Sequence, residues 1–94
     1  MVSYSIYRSL MKTIYLVIPC YNEEEVIGET NRRILQKMDT LIDKKVINSN
    51  SKIVYVNDGS KDNTWNLISS FSQQSNTVIG IKLSRNQGHQ NALL

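Results

Sequence analysis

Three short polar runs hold the residue types that can do chemistry: Pro19-Cys20-Tyr21-Asn22-Glu23, Asn57-Asp58-Gly59-Ser60 and Ser84-Arg85-Asn86. Each follows directly on an apolar run. Glu23 and Asp58 are carboxylates able to accept N–H and O–H bonds, and Tyr21 is a ring able to cover a flat ligand face. Arg85 is a cation, and Gly59 gives the backbone freedom to turn. Each residue also has a purely structural reading. Tyr21 can pack beneath a helix, Asp58-Gly59 is a common turn pair, Asn22 can cap a helix, and Arg85 can pair with a surface acid.

The elements that must position these runs are legible from hydrophobic patterning. Ile14-Tyr15-Leu16-Val17-Ile18 is continuous rather than alternating, which predicts a strand buried on both faces of a parallel sheet. Asn22 is placed to cap the helix that follows, with Glu23, Glu24 and Glu25 near its positive end. Ile27, Ile34, Met38, Leu41 and Ile42 then recur on one helical face for about five turns, and Lys44 and Lys45 lie near the C-terminal end. Ile53-Val54-Tyr55-Val56 predicts a second buried strand. Asp62-Asn63-Thr64 can cap a second helix, whose Trp65, Ile68 and Phe71 read as core. Val78 to Leu83 predicts a third strand, and His89 to Leu94 the first turns of a third helix.

Strand–helix–strand–helix–strand with these connection lengths is a right-handed βαβαβ unit of an open α/β sheet. Such sheets bind ligands outside the carboxyl ends of their strands, which is where all three polar runs fall.

Composition excludes several alternatives. The chain has 94 residues, enough for one domain that buries roughly 60–65% of its unfolded surface. Four Gly and one Pro exclude a low-complexity linker, and one Cys excludes a disulfide scaffold and fits a reducing, cytoplasmic compartment. A net charge of +3 without a basic stripe sets nucleic acid aside as a partner. No run reaches the ~18–20 apolar residues of a membrane span. The N-terminal segment superficially resembles a signal peptide, but Lys12 interrupts it and no small-x-small cleavage site follows. Pro19 excludes a lipoprotein reading of Cys20. Because Met11 immediately precedes the first strand segment, residues 1–11 read as an N-terminal extension.

The familiar phosphate cradles are absent. There is no G-x-G-x-x-G after the first strand and no G-K-[ST]. Asp58, Ser60 and Asp62 have calcium-loop spacing, but Asn63 stands in place of the turn glycine and Ser69 in place of the bidentate Glu. Nothing in the spacing requires Cys20 and His89 to meet. Cys20 reads as a strand-end packing residue, and His89 as a capping or surface group.

Taken together, Val17-Ile18-Pro19-Cys20-Tyr21-Asn22-Glu23-Glu24, Val56-Asn57-Asp58-Gly59-Ser60-Lys61-Asp62-Asn63-Thr64 and Leu83-Ser84-Arg85-Asn86-Gln87-Gly88-His89-Gln90-Asn91-Ala92-Leu93 resemble the start of a family 2 glycosyltransferase, over residues 12–94. The third motif is most similar to the branch that transfers sugars to polyprenyl phosphates, as in dolichyl-phosphate mannose synthases and bactoprenol glucosyltransferases. The resemblance implies a three-layer, mostly parallel α/β sheet, the Rossmann-like βαβαβ(α) half of a GT-A fold. It implies a nucleoside-diphosphate sugar of UDP or GDP type as ligand. Pro19, Tyr21 and Glu23 would line the base and ribose pocket, with Asn22 and Ser60 in the same loops. Asp58 would bond the base, Gly59 would allow close approach, and Arg85 would contact the diphosphate. Asn57 departs from the family, which often has an acid there.

The resemblance also implies Mg²⁺ or Mn²⁺, held by an Asp-x-Asp motif that this sequence does not contain. The chain therefore reads as a nucleotide-binding half, without catalytic residues, metal ligands or turnover of its own, and with membrane association only through segments further downstream. A non-catalytic α/β nucleotide-binding or protein-interaction module is the alternative reading. The resemblance implies that the first strand is internal in the family's fold, so in this chain the edge of Ile14–Ile18 is expected to be bare, which predicts a homo-oligomer through it.

Overall fold

The computed structural model describes residues 12–84. Three strands alternate with two helices: β1 (Tyr15–Cys20), α1 (Ile27–Asp43), β2 (Lys52–Asp58), α2 (Thr64–Gln74) and β3 (Val78–Leu83). The strands form one parallel sheet in the order β1-β2-β3. The expected third helix and Arg85 lie outside the described residues.

Register decides which side chains share a face. Leu16, Ile18 and Cys20 lie beside Ile53, Tyr55 and Asn57, which in turn lie beside Val78, Gly80 and Lys82. Both helices pack on this face. The hydroxyl of Tyr55 donates to Asn31 Oδ1 on α1 at 2.8 Å, and its ring meets Phe71 of α2 at 6.3 Å. Around Tyr55 the core gathers Cys20, Ile27, Met38, Ile53, Ile68 and Val78, with Trp65 and Phe71 packed against it. Gly80 is where α2 comes closest: a methyl there would lie 2.7 Å from Ile68 Cγ2 and 3.3 Å from the Trp65 ring. The described residues thus supply two of the three expected layers, a sheet and one layer of helices.

The opposite face accounts for one corrected expectation. β1 is not buried on both sides: Tyr15 and Val17 are 59% and 58% exposed, and even Leu16 is 40% exposed. Among the described residues β1 is an edge strand paired only to β2, so its continuous apolar run lacks a second neighbour and a cover. Only the central strand matches the two-sided pattern, with Ile53, Val54 and Tyr55 all buried.

The start of α1 needs a second correction. The helix begins at Ile27 with Val26 at its N-cap and no side-chain capping bond, so Asn22 does not cap it. Asn22 sits at φ 51, outside helical conformation. The turn is made instead by Glu23, whose carbonyl accepts the N–H groups of Val26 and Ile27 at 3.0 and 2.9 Å. At the far end Lys44 caps the helix and Lys45 takes φ 61.

Candidate functional site

The carboxyl ends of β1 and β2 bring two loops together, residues 21–26 and residues 59–63. They are stitched by hydrogen bonds running both ways. The Asn22 backbone N–H donates to Ser60 Oγ at 2.9 Å, and the Lys61 N–H donates back to Asn22 Oδ1 at 2.8 Å. The Glu23 N–H donates to Thr64 Oγ1 at 2.8 Å, and the Glu24 N–H to Asp62 Oδ2 at 3.2 Å. The Asn63 N–H returns a bond to Glu24 Oε1 at 2.8 Å. Asp62 Oδ1 also accepts the Thr64 backbone N–H at 2.9 Å and the Thr64 hydroxyl.

These bonds explain the departure of Asn22 from the helix. Its side-chain oxygen serves the neighbouring loop, and asparagine tolerates the left-handed conformation that this requires. They also remove the calcium reading, because Ser60 and Asp62 direct their oxygens to backbone N–H groups. For Asp62, desolvation pushes the carboxyl up. The bonds from the Thr64 hydroxyl and N–H and from the Glu24 N–H more than offset this and hold it below its ordinary value.

At the end of β2, alternation sends neighbours to opposite faces. Asn57 is 1% exposed on the helix-covered face, and its Oδ1 has no hydrogen-bond partner among the described residues. An aspartate in that pocket would bury a charge, so the neutral amide suits this site. Asp58 faces the other way and is partly exposed. Gly59 follows at φ 75, where a side chain would strain the turn. Pro19 shares the face of Asp58, and Tyr21 stands 49% exposed at the loop surface.

A cavity of about 170 Å³ opens beside β1, lined by Pro19, Cys20, Glu23, Ile27, Thr30 and Tyr55 among others. It joins Pro19 to Glu23, whereas Tyr21, Asn22, Asp58, Gly59 and Ser60 are not part of its wall. The Cys20 thiol is buried there and donates to the Ile18 carbonyl at 3.6 Å. Burial, and then the charge of Glu23, push its pKa up, which disfavours the thiolate. A second recess of about 310 Å³ is lined by Asn22, Glu23, Glu24, Glu25, Val26 and Asp62.

Among the described residues, no three His, Cys, Asp or Glu side chains come together as a metal site. The described residues do not fit the divalent cation implied by the resemblance. No described helix is long and apolar enough to cross a membrane. The sequence marks Asp62 and Thr64 as capping residues and as part of the second motif, but not their bonds to the first loop.

A parallel βαβαβ sheet with its polar loops gathered at the strand ends is an open α/β domain, a class that binds its ligands outside the carboxyl ends of the strands. The profile described as Glycosyl transferase family 2 matches residues 15–94, and the chain belongs to that family. The uncharacterized glycosyltransferase YkoT of Bacillus subtilis (strain 168) is 51% identical over 79 residues, covering 84% of this chain and 23% of that protein. YkcC of the same organism, also an uncharacterized glycosyltransferase, is 40% identical over 78 residues, covering 83% of this chain and 22% of its own length. The undecaprenyl-phosphate 4-deoxy-4-formamido-L-arabinose transferase of Shewanella sediminis (strain HAW-EB3) is 34% identical over 82 residues, covering 86% of this chain and 23% of that protein. The chain thus spans under a quarter of the length of these relatives. No solved structure matches it.

Proposed function

We propose that this chain forms the donor-binding part of a glycosyltransferase and takes a nucleoside-diphosphate sugar, of UDP or GDP type, at the carboxyl ends of β1 and β2. The observation that carries the reading is the end of β2. There Asp58 and Asn57 point to opposite faces, and Gly59 turns the backbone at φ 75 beside the loop that carries Tyr21 and Glu23.

In this reading Asp58 accepts the base N–H, Tyr21 covers the base face, and Pro19 and Glu23 border the base and ribose. Asn22 and Ser60 act through the loop-to-loop bonds rather than on the ligand. The recess lined by Glu23, Glu24, Glu25 and Asp62 would repel a diphosphate, so the phosphates lie away from it, and Arg85 is the residue assigned to them by the motif in which it stands. Residues 12–94 form the binding unit and residues 1–11 an extension. A divalent cation belongs to the full enzyme and is not held by the described carboxylates. A cytoplasmic location suits the single protonated thiol. The proposed acceptor is a polyprenyl phosphate, supported by the name of the Shewanella relative and by the third sequence motif. Already anionic, such an acceptor needs little help from a base to attack the sugar.

The test is a calorimetric titration with UDP, GDP and their sugars, with and without Mg²⁺, beside an Asp58→Ala variant. Saturable binding of one base, weakened at least about tenfold by Asp58→Ala and indifferent to the metal, is the expected result. A folded chain that binds none of them would leave a non-catalytic module as the better reading.

A further inference from the structure

The loop-to-loop bonds converge on one side chain to which the donor-binding reading gives no contact with the ligand. Asp62 is the carboxylate where bonds from both loops meet. Its Oδ1 takes the N–H and hydroxyl of Thr64 on its own side, and its Oδ2 takes the Glu24 N–H from across the gap. The same Thr64 hydroxyl accepts the Glu23 N–H, so a relay runs from Glu23 through Thr64 to Asp62. Thr64 is fully buried and opens α2, which anchors the relay to the core. Hydrogen bonds linked in series polarise one another, and those ending on a carboxylate are the stronger kind.

We propose that Asp62 is the positioning residue that fixes the β1–α1 loop against the β2–α2 loop, and so sets Tyr21 and Glu23 at the distance from Asp58 that a nucleotide requires. This inference rests on the donor-binding reading. Asp62 itself touches no ligand. The loop carrying Tyr21 and Glu23 is bonded to the second loop at three consecutive N–H groups, Asn22, Glu23 and Glu24. Two of those three depend on the Asp62–Thr64 pair. Releasing them loosens the backbone at Glu23 and Glu24, leaving the loop held through the bonds of Asn22 and the Glu24 side chain, with the sheet untouched.

The experiment compares the wild-type chain with Asp62→Asn, Thr64→Val and Thr64→Ser. Amide hydrogen exchange is read at Glu23 and Glu24, with core amides of β2 as the internal control, and UDP and GDP titrations run alongside. Asp62→Asn turns a donor towards the Glu24 N–H, and Thr64→Val removes the relay hydroxyl at nearly constant shape. Both should raise exchange at Glu23 and Glu24 at least about tenfold and weaken nucleotide binding by about the same factor, with the β2 amides unchanged. Thr64→Ser keeps the hydroxyl and should restore both.

Unchanged exchange in Asp62→Asn and Thr64→Val would overturn the inference. So would faster exchange with undiminished nucleotide affinity, because the loop would then be free without consequence. Faster exchange throughout β2 would assign Asp62 to general stability and overturn it equally. A wild-type chain that binds neither nucleotide fails the donor-binding reading itself and takes the positioning role with it, an outcome distinguishable because the exchange measurement needs no ligand.

Discussion

The backbone N–H of Glu23 donates to the hydroxyl of Thr64 at 2.8 Å, joining residues 41 positions apart. One residue follows the first strand and the other begins the second helix. Their contact turns two separate strand-end loops into one surface. Every donor-site residue proposed within residues 12–84 is in that surface or borders it.

The carboxylate behind this contact should titrate low. Asp62 is held below its ordinary 3.8 by bonds from Thr64 and Glu24 that outweigh its desolvation. A depressed folded-state pKa means the contribution is fully present above the unfolded value and is lost as pH falls through the folded one. A carbon-detected NMR titration should therefore give Asp62 a midpoint under 3.8, moving upward in Thr64→Val. A wild-type midpoint at or above 3.8 would mean these bonds do not form in solution.

Tyr55 should set an alkaline limit. Burial, and then the neighbouring Cys20, push its hydroxyl from 10.0 up to about 12. Because the folded value is raised, its contribution is intact below the unfolded value and is lost as pH rises from about 10 to about 12. Tyr55→Phe leaves Asn31 buried without its donor and should cost about 1–3 kcal/mol at neutral pH. Urea unfolding at a series of alkaline pH values should reveal a loss of stability in the wild type that Tyr55→Phe lacks. Parallel curves for the two proteins would contradict this.

Gly80 should tolerate no side chain. The methyl of Gly80→Ala would press on Ile68, which is fully buried and cannot swing aside. Overpacking of this kind costs about 1–3 kcal/mol. The double variant Gly80→Ala/Ile68→Ala should lose less than the two single losses combined, as chemical denaturation can measure. Simple additivity would mean the contact is slack.

The edge of β1 should self-associate. Tyr15 and Val17 are exposed on a strand that is paired on one side only among the described residues. We expect light scattering of the 94-residue chain to give a dimer or larger species, with Val17→Lys shifting it towards monomer. A wild-type monomer at all concentrations would refute the edge as an interface.

The element order and the ligand-binding end of the sheet were legible because both rest on local signals. Apolar runs make strands, a helical stripe makes α1, and Asp58-Gly59 announces a turn whatever surrounds it. The sequence motifs carried the family for the same reason, since three loops at fixed intervals are readable without knowing how they meet. The tertiary structure decided everything that depends on a partner distant in the chain. An apolar run reads the same whether both its faces are covered or one is bare, so β1 read as buried on both faces, whereas among the described residues Tyr15 and Val17 lie exposed. Asn22 has the chemistry of a cap, but its oxygen is claimed by Lys61, 39 residues later, and that long-range bond prevails over local preference. Asp62 and Thr64 looked like the start of a helix and are also the bridge between loops, because a side chain can cap locally and bond across a gap at once. Local pattern names the residues that can bond; only the packing of α1 and α2 on one face of the sheet determines which of them do.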